Sequence, residues 1–206
     1  TRNSFIIGIS ATFLATALGT VAALGLSRRN MPFKGTIMAI LISPMIVPLI
    51  ITSAGMFFFY SKVGLTHTYL GLILAHTALG TPFVVITVTA TLTGFDTNLI
   101  RASQSLGANT MRTFFKVIMP LILPGVISGA LFAFITSFDE VVVVMFVGSV
   151  EQITIPKQMW AGLRQETSPV ILCMATCLVF LSIALLTTVE LLRRRSERLR
   201  GIKLQN

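Results

Sequence analysis

Long apolar stretches separated by short polar segments run through the whole chain. Five of them reach the length of about 20 residues that a helix needs to cross a hydrocarbon core of about 30 Å. They cover residues 4–26, 35–59, 69–93, 124–147 and 170–192. Backbone N–H and C=O groups in lipid must be paired within their own segment, so each stretch is predicted to be a helix. The pattern predicts an all-α polytopic membrane protein in which residues 1–206 form one transmembrane domain.

Composition and charge agree with a membrane protein and orient it. Hydrophobic residues make up 54% of the chain, charged residues 11%, and the mean hydropathy is +0.87. The net charge is +9, and twelve of the 16 Lys and Arg residues lie on one predicted side of the membrane. By the positive-inside rule that side is cytoplasmic, which places 94–123 and the carboxyl terminus inside and 149–169 outside. The basic charge therefore orients the protein and does not indicate nucleic-acid binding. An odd number of spans leaves Thr1 outside, so a sixth span is expected upstream.

The polar segment 94–123 carries its own helix signals. Gly94 ends the preceding span, and Asp96 is placed to cap a short amphipathic helix over 99–106. Gly107 ends that helix, and a second amphipathic stretch over 111–119 leads into the fourth span. One interpretation is an ordinary solvated connector. The other is a short helix on the membrane surface, to which a partner protein docks.

Six residues of this segment stand at the positions of a known motif: Ala102, Leu106, Gly107, Ala108, Ile118 and Pro120. Here the chain resembles the permease subunits of binding-protein-dependent ABC importers, whose cytoplasmic EAA loop contains Glu-Ala-Ala, then a Gly, and later Ile-x-Leu-Pro. Two residues differ from that motif, because Arg101 replaces its Glu and Ser103 replaces its second Ala. The resemblance implies that a separate ATPase is contacted by Arg101, Ala102, Ser103, Leu106, Gly107 and Ala108.

A second resemblance covers the sequences SFDEVVVVMFVG at 137–148 and TIPKQMWAGLRQETSPV at 154–170. Both are similar to the spermidine/putrescine branch of the same family, and the resemblance spans nearly the whole chain. It implies a type I importer permease that forms half of a pathway for a polyamine in the bacterial inner membrane. The implied partners are a second permease subunit, a cytoplasmic ATPase dimer and a periplasmic binding protein, besides membrane lipid. Relatives of similar sequence carry opines, aminobutyrate or ferric iron, which are the alternative substrates.

Two acidic residues lie inside the fourth predicted span. Ionised Asp139 and Glu140 are costly in lipid unless they meet a cation, water or a partner. Neighbouring residues of one helix point about 100° apart, so both can border a wide pore without facing one target. We predict that Asp139, Glu140 and the adjacent Phe138 line the translocation path, where Asp139 offers a counter-charge to a cationic solute. The alternative is that one acid pairs with a neighbouring subunit or lies near the outer interface.

Other residues in the spans are predicted to have structural roles. His76 is expected to be neutral and hydrogen-bonded within the bundle. Cys173 and Cys177 are expected to be buried reduced thiols, because no further metal ligand is near. Pro44 and Pro48 should kink the second span. Two small-residue stripes indicate close helix packing within the chain rather than a contact between permeases: Gly8, Thr12, Ala15 and Gly19, and Gly125 with Gly129.

The outer segment 149–169 is predicted to contain a short helix that starts at Pro156 and carries Met159 and Trp160. Trp160 is expected to anchor this helix at the membrane interface, and the resemblance adds a contact with the binding protein. The chain has no GxxxxGK[ST] loop, so ATP and Mg²⁺ are expected on the partner ATPase, with no cofactor on this chain.

Two other classes of protein are alternatives to the importer. An intramembrane enzyme would need a catalytic motif such as HExxH or GxSxG, which the sequence lacks. A passive channel would need polar filter loops or rings of charge, for which one acidic pair is thin support. The importer permease is therefore the predicted function, and its ATP hydrolysis is expected on a separate polypeptide.

Overall fold

The computed structural model describes residues 1–28, 30–96, 98–165 and 169–199, which form helices joined by short connections. The helices are α1 (Arg2–Leu26), α2 (Lys34–Ile46), α3 (Leu49–Val63), α4 (Tyr69–Thr93), α5 (Asn98–Ser105), α6 (Thr110–Thr113), α7 (Met119–Phe138), α8 (Val142–Val147), α9 (Ile155–Gln165) and α10 (Pro169–Leu199). A π-helical turn, Phe114–Ile118, joins α6 to α7. The described part of the chain contains no strand, and the predicted all-α class is confirmed.

Helices α1, α4 and α7 pack most extensively against one another and form the core. Glycine and alanine residues lie where these helices approach one another most closely. A Cβ atom added to Gly19 would lie 2.7 Å from Cβ of Val84, and one added to Gly80 would lie 3.0 Å from Cβ of Ala133. Helix backbones approach this closely only where side chains are small. Gly129 of α7 also faces Val84, so the predicted packing of the small-residue stripes within the chain is confirmed.

Two predicted spans coincide with single helices. α1 covers 4–26, and α4 begins and ends at the predicted residues 69 and 93. Local residues set the ends of α4, because the Thr68 hydroxyl accepts a hydrogen bond from the Gly71 N–H at 3.0 Å and Gly94 follows the last turn. Together with the helix over Thr110–Phe138, these are the three described helices that are each long and apolar enough to cross a membrane.

The second predicted span consists of two helices, so the prediction of one kinked helix over 35–59 is wrong. α2 and α3 are inclined at 104° and meet at Val47 and Pro48. Val47 has extended backbone angles (φ −71°, ψ 135°), since the ring of a following proline disfavours the helical region. Pro44, in contrast, lies inside α2. The predicted kink is therefore found at Pro48, where it produces a broken or re-entrant span.

The fourth predicted span has different bounds in the structure. Its helix starts at Thr110, passes through the π-helical turn and ends at Phe138. Residues 110–118 therefore belong to this long helix and not to a separate surface segment of a 94–123 loop. The end of the predicted span, 139–147, forms a turn followed by α8. Hydropathy missed the break because an apolar run continues on both sides of it.

α10 contains the fifth predicted span and extends to Leu199, and its described apolar part is Leu172–Thr188. One face of it packs against α7. Cys173 and Cys177 are exposed, so the prediction of buried thiols is wrong. Both thiols lie on the apolar part of α10, whose other residues resemble a small apolar thiol in polarity. Among the described residues, no group of three or more His, Cys, Asp or Glu side chains is placed to hold a metal ion.

Candidate functional site

The segment after α4 contains a short helix with well-defined ends. Before α5, Oδ1 of Asp96 accepts a hydrogen bond from the Asn98 N–H at 2.9 Å. After α5, Gly107 has φ +81°, a left-handed conformation that glycine adopts without strain. The N–H groups of Gly107 and Ala108 donate to carbonyls in the last turn of α5 at 2.9 and 3.1 Å, which is a Schellman C-cap. The predicted helix, its Asp96 cap and its end at Gly107 are confirmed.

One face of α5 is exposed and the other is attached to the bundle. Arg101, Ala102 and Leu106 are exposed, and Leu106 is 88% exposed. Ser103 points toward the bundle, where its Oγ lies 2.8 Å from Oγ1 of Thr113, a residue that is 2% exposed. The hydroxyl that replaces the second Ala of the EAA motif therefore joins α5 to α6.

The long helix starts directly after this attachment. The Asn109 side chain accepts a hydrogen bond from the Arg112 N–H at 2.8 Å and begins α6. The π-helical turn follows and leads into Pro120 near the start of α7. Pro120 lacks the N–H that a regular α-helix requires, and a π turn shifts the hydrogen-bond partners locally. As a result, Thr110–Phe138 forms one continuous helix of 29 residues.

A cavity of about 450 Å³ separates α5 from the ends of α1 and α4. Its walls are mostly apolar, and Arg28, Gln104 and Thr110 add polar groups. α5 is therefore not packed tightly against the bundle along its length, and it is attached at Ser103 and at the chain that follows it.

The two acids lie at the break after α7 and not within one helix. Asp139 is the C-cap residue of α7 and is exposed. Glu140 is 7% exposed, and its Oε1 accepts a hydrogen bond from the Val143 N–H in the first turn of α8 at 2.8 Å. The prediction that both acids share a continuous helix is wrong, because the Glu140 carboxylate binds the start of a second helix.

Helix electrostatics separates the roles of these two carboxylates. A helix carries partial positive charge at its N-terminus and partial negative charge at its C-terminus. Glu140 lies at the N-terminus of α8, where its negative charge is favourable. Near the C-terminus of α8, the Lys157 amine donates a hydrogen bond to the Val144 carbonyl at 3.1 Å. Burial lowers the pKa of that amine. Asp139 lies at the C-terminus of α7, where an acid is unfavourable by about 0.3–1 kcal/mol. A contribution to stability therefore explains why an acid occupies position 140, but it does not explain the acid at position 139.

Phe138 lies in the packing between α1 and α7. Its ring centroid is 5.2 Å from that of Phe5 and 5.2 Å from that of Phe134, and the residue is 6% exposed. Its predicted place in the pathway gains no support from this position. His76 is buried in α4 with Nδ1 2.8 Å from Oγ of Ser137, so the hydrogen bond predicted within the bundle is confirmed.

The predicted outer segment is fixed to the starts of α1 and α4. The Asn3 amide donates to two carbonyls of the loop before α9, at 2.8 and 3.1 Å, and it accepts a hydrogen bond from the Tyr69 hydroxyl at 2.9 Å. In α9, Met159 is half-buried and Trp160 is 45% exposed. The helix predicted at Pro156 is confirmed, while its roles as anchor and binding-protein contact stay predictions. Sequence reasoning missed the Asn3 bridge, since no periodic pattern marks a bond to a distant loop.

The chain matches known proteins over most of its length. Residues 15–199 match the family model of binding-protein-dependent transport system inner membrane components. The chain is 31% identical over 194 residues to the spermidine/putrescine transport system permease protein PotC of Haemophilus influenzae. The aligned region covers 94% of this chain and 76% of that protein. The chain is 30% identical over 189 residues to the putrescine transport system permease protein PotI of Escherichia coli, in an alignment that covers 84% and 66%.

Solved structures share the fold. The inward-facing MetNI methionine ABC transporter gives a TM-score of 0.69 at 22% identity, over 98% of this chain and 94% of that chain. An amino acid ABC transporter gives a TM-score of 0.66 at 15% identity, over 93% and 90%. These neighbours confirm the predicted permease architecture, and the family match extends across the long helix and both candidate sites. The chain therefore belongs to the family of binding-protein-dependent transport system inner membrane components, as a multi-pass permease subunit of the inner membrane.

Proposed function

We propose that this chain forms half of the translocation pathway of an ATP-driven importer for a polyamine such as putrescine or spermidine. The observation that carries the proposal is the similarity to polyamine permeases over 84% to 94% of the chain. In this assembly a second permease subunit completes the pathway, and a periplasmic binding protein delivers the solute. A pair of ATPase subunits binds ATP and Mg²⁺, since this chain has no phosphate-binding loop.

The exposed face of α5 is the proposed docking surface for the ATPase. Arg101, Ala102 and Leu106 lie on it, and the C-cap at Gly107 and Ala108 fixes where the helix ends. An exposed apolar side chain together with an arginine is a composition typical of protein interfaces. In the proposed cycle, closure of the ATPase pair displaces α5 and tilts the long helix to which it is attached.

In this proposal α5 and the carboxyl terminus face the cytoplasm, as the distribution of basic residues predicts. The variant Leu106→Cys tests the orientation after the exposed Cys173 and Cys177 have been replaced by serine. A membrane-impermeant maleimide should label the new cysteine from the cytoplasmic side only, and a crosslinker on it should reach the ATPase. Labelling from the outer side contradicts the proposal.

Asp139 is the proposed counter-charge for the cationic solute. Its side chain is exposed at the break between two helices, directly after the C-terminus of α7, where an acid is not stabilised by that helix. Glu140 adds negative charge beside it, while its Oε1 stays bound to α8. On the outer side, α9 with Met159 and Trp160 is the proposed cap of the path and contact of the binding protein.

Reconstitution tests the function. Proteoliposomes containing this chain with its partner permease, ATPase and binding protein should accumulate labelled putrescine or spermidine only when ATP is supplied. The variant Asp139→Asn should lower uptake of the polyamine, whereas Glu151→Gln, which removes an exposed acid outside the break, should not. Uptake that persists without ATP indicates a channel, and unchanged uptake in Asp139→Asn excludes the counter-charge.

A further inference from the structure

His76 and Ser137 form a buried polar contact between α4 and α7. The ring Nδ1 lies 2.8 Å from Oγ of Ser137, and the two residues are 1% and 5% exposed. Ser137 occupies the last turn of α7, one residue before the helix ends at Phe138. The contact therefore attaches the last turn of α7 to α4.

The other ring nitrogen has no polar partner. Nε2 of His76 is buried and has no hydrogen bond within the described part of the chain. A buried polar atom without a partner destabilises a fold, and an apolar side chain of similar volume avoids that loss. Stability alone thus does not explain a histidine at this position. What histidine provides and leucine does not is the directional bond to Ser137.

This bond fixes the backbone that carries Asp139. The Asp139 N–H donates to the carbonyl four residues earlier at 3.0 Å, so Asp139 is still attached to the turn that contains Ser137. On the other side, Glu140 is bound to the Val143 N–H of α8. Asp139 lies between these two attachments with its side chain exposed. Rotation of the last turn of α7 would displace the carboxylate, and the bond to His76 opposes that rotation.

We propose that His76 is a positioning residue for Asp139, which it holds in place through Ser137. The inference rests on the proposed function, in which Asp139 is the counter-charge for the solute. His76 does not touch the solute. Loss of the His76 side chain should therefore lower the amount of solute carried for each ATP hydrolysed.

Three variants of His76 distinguish the effect of losing the hydrogen bond to Ser137 from the effect of changing the volume of the side chain. Asparagine places an amide near the position of Nδ1 and can keep the bond to Ser137, glutamine places its amide nearer to Nε2, and leucine has no polar atom. In proteoliposomes with the full transporter, putrescine uptake and ATP hydrolysis are measured together. We expect His76→Asn to keep the wild-type ratio and His76→Gln and His76→Leu to lower it about three- to tenfold, as for one lost buried hydrogen bond.

The ratio distinguishes positioning from a general defect. A variant that merely folds poorly reduces the amount of assembled transporter, which lowers uptake and hydrolysis equally and leaves the ratio unchanged. Ser137→Ala should lower the ratio as His76→Leu does, and the double variant should lower it no further, because both remove the same bond. Thr20→Val is the control, since it removes a buried hydroxyl that has no partner in the described structure.

Several results would overturn the inference. It fails if His76→Gln and His76→Asn give the same ratio of uptake to ATP hydrolysis. It also fails if the double variant His76→Leu with Ser137→Ala lowers this ratio by the combined effect of the two single variants. If Asp139→Asn lowers the ratio while the His76 variants do not, the inference fails and the proposed function stands. A wild-type ratio in Asp139→Asn overturns the counter-charge itself, and the positioning role with it.

Discussion

Replacing Gly129 by alanine tests whether the close approach of α4 and α7 holds the bundle together. A Cβ atom at position 129 would lie 2.5 Å from Oγ1 of Thr87 and 2.8 Å from Cα of Val84. Neither neighbour can move aside easily. The Val84 atom belongs to the backbone of α4, and the Thr87 hydroxyl is bound to the carbonyls of Phe83 and Val84 at 3.0 and 3.2 Å.

The added methyl group must therefore push the two helices apart. Overpacking of this kind costs about 1–3 kcal/mol. The gain in helix propensity from glycine to alanine offsets about 1 kcal/mol at most. The added atom would clash with two neighbours, so the upper part of the overpacking range, about 2–3 kcal/mol, applies to Gly129→Ala. After the gain in propensity is subtracted, we expect a net loss of about 1–2 kcal/mol of stability, which corresponds to a Tm lower by about 2–8 °C for a chain of this size.

Gly55→Ala is the matched control, because it makes the same change inside α3 where a Cβ would meet no atom within 4 Å. The fraction of intact transporter that survives stepwise heating in lipid nanodiscs, read by size-exclusion chromatography, gives both Tm values. Gly55→Ala should keep the wild-type Tm or raise it. A Gly129→Ala variant as stable as wild type, or an equal loss in both variants, would refute the packing argument.

Three further comparisons test the site and its surroundings. Glu140→Ala leaves a buried N–H of α8 without its acceptor and should cost about 1–3 kcal/mol. Asp139→Asn removes an acid from the C-terminus of α7, so it should keep the wild-type Tm or raise it by up to about 4 °C, and it should still lower polyamine uptake. A stable Glu140→Ala variant together with a destabilised Asp139→Asn variant would exchange the roles of the two acids. His67 has φ +60°, so His67→Val should melt about 2–8 °C below His67→Gly, and equal Tm values would show that the turn carries no strain. Arg101→Glu should change solute-stimulated ATP hydrolysis several-fold while Tm shifts by less than about 2 °C, because exposed substitutions change stability by about 0.5 kcal/mol or less. An unchanged rate would show that this position tolerates either charge.

Local signals allowed some elements to be predicted to within a residue. The bounds of α4 followed from the apolar run and from Gly94 at its end, and the structure adds a cap hydrogen bond at Thr68 that the sequence reasoning had not used. The bounds of α5 followed from Asp96 and Gly107 for the same reason. In these cases, the residues that end the helix lie next to it in the sequence, so no tertiary information was needed.

The misses required information that hydropathy does not contain. Pro44 and Pro48 look equivalent in the sequence, yet Pro44 lies within α2 and the chain turns by 104° at Pro48. The break after α7 is hidden in an apolar run, although an available signal was the spacing of Glu140 and Val143, which suits an acid that caps a new helix. Exposure of Cys173 depends on which face of α10 meets α7, and the sequence alone does not define that face.

The candidate coupling surface and the candidate pathway acid lie at opposite ends of one helix. Ser103 of α5 is bound to Thr113 in the first turn of Thr110–Phe138, and Asp139 follows the last residue of that helix. With a rise of 1.5 Å per residue, 29 residues span about 43 Å, so a tilt of about 10° around the midpoint would move each end by about 4 Å. The tight packing of Gly129 against α4 allows such a tilt only if α4 moves with α7. The proposed cycle therefore requires α4 and α7 to move as a pair, with the bond between His76 and Ser137 keeping their far ends in register.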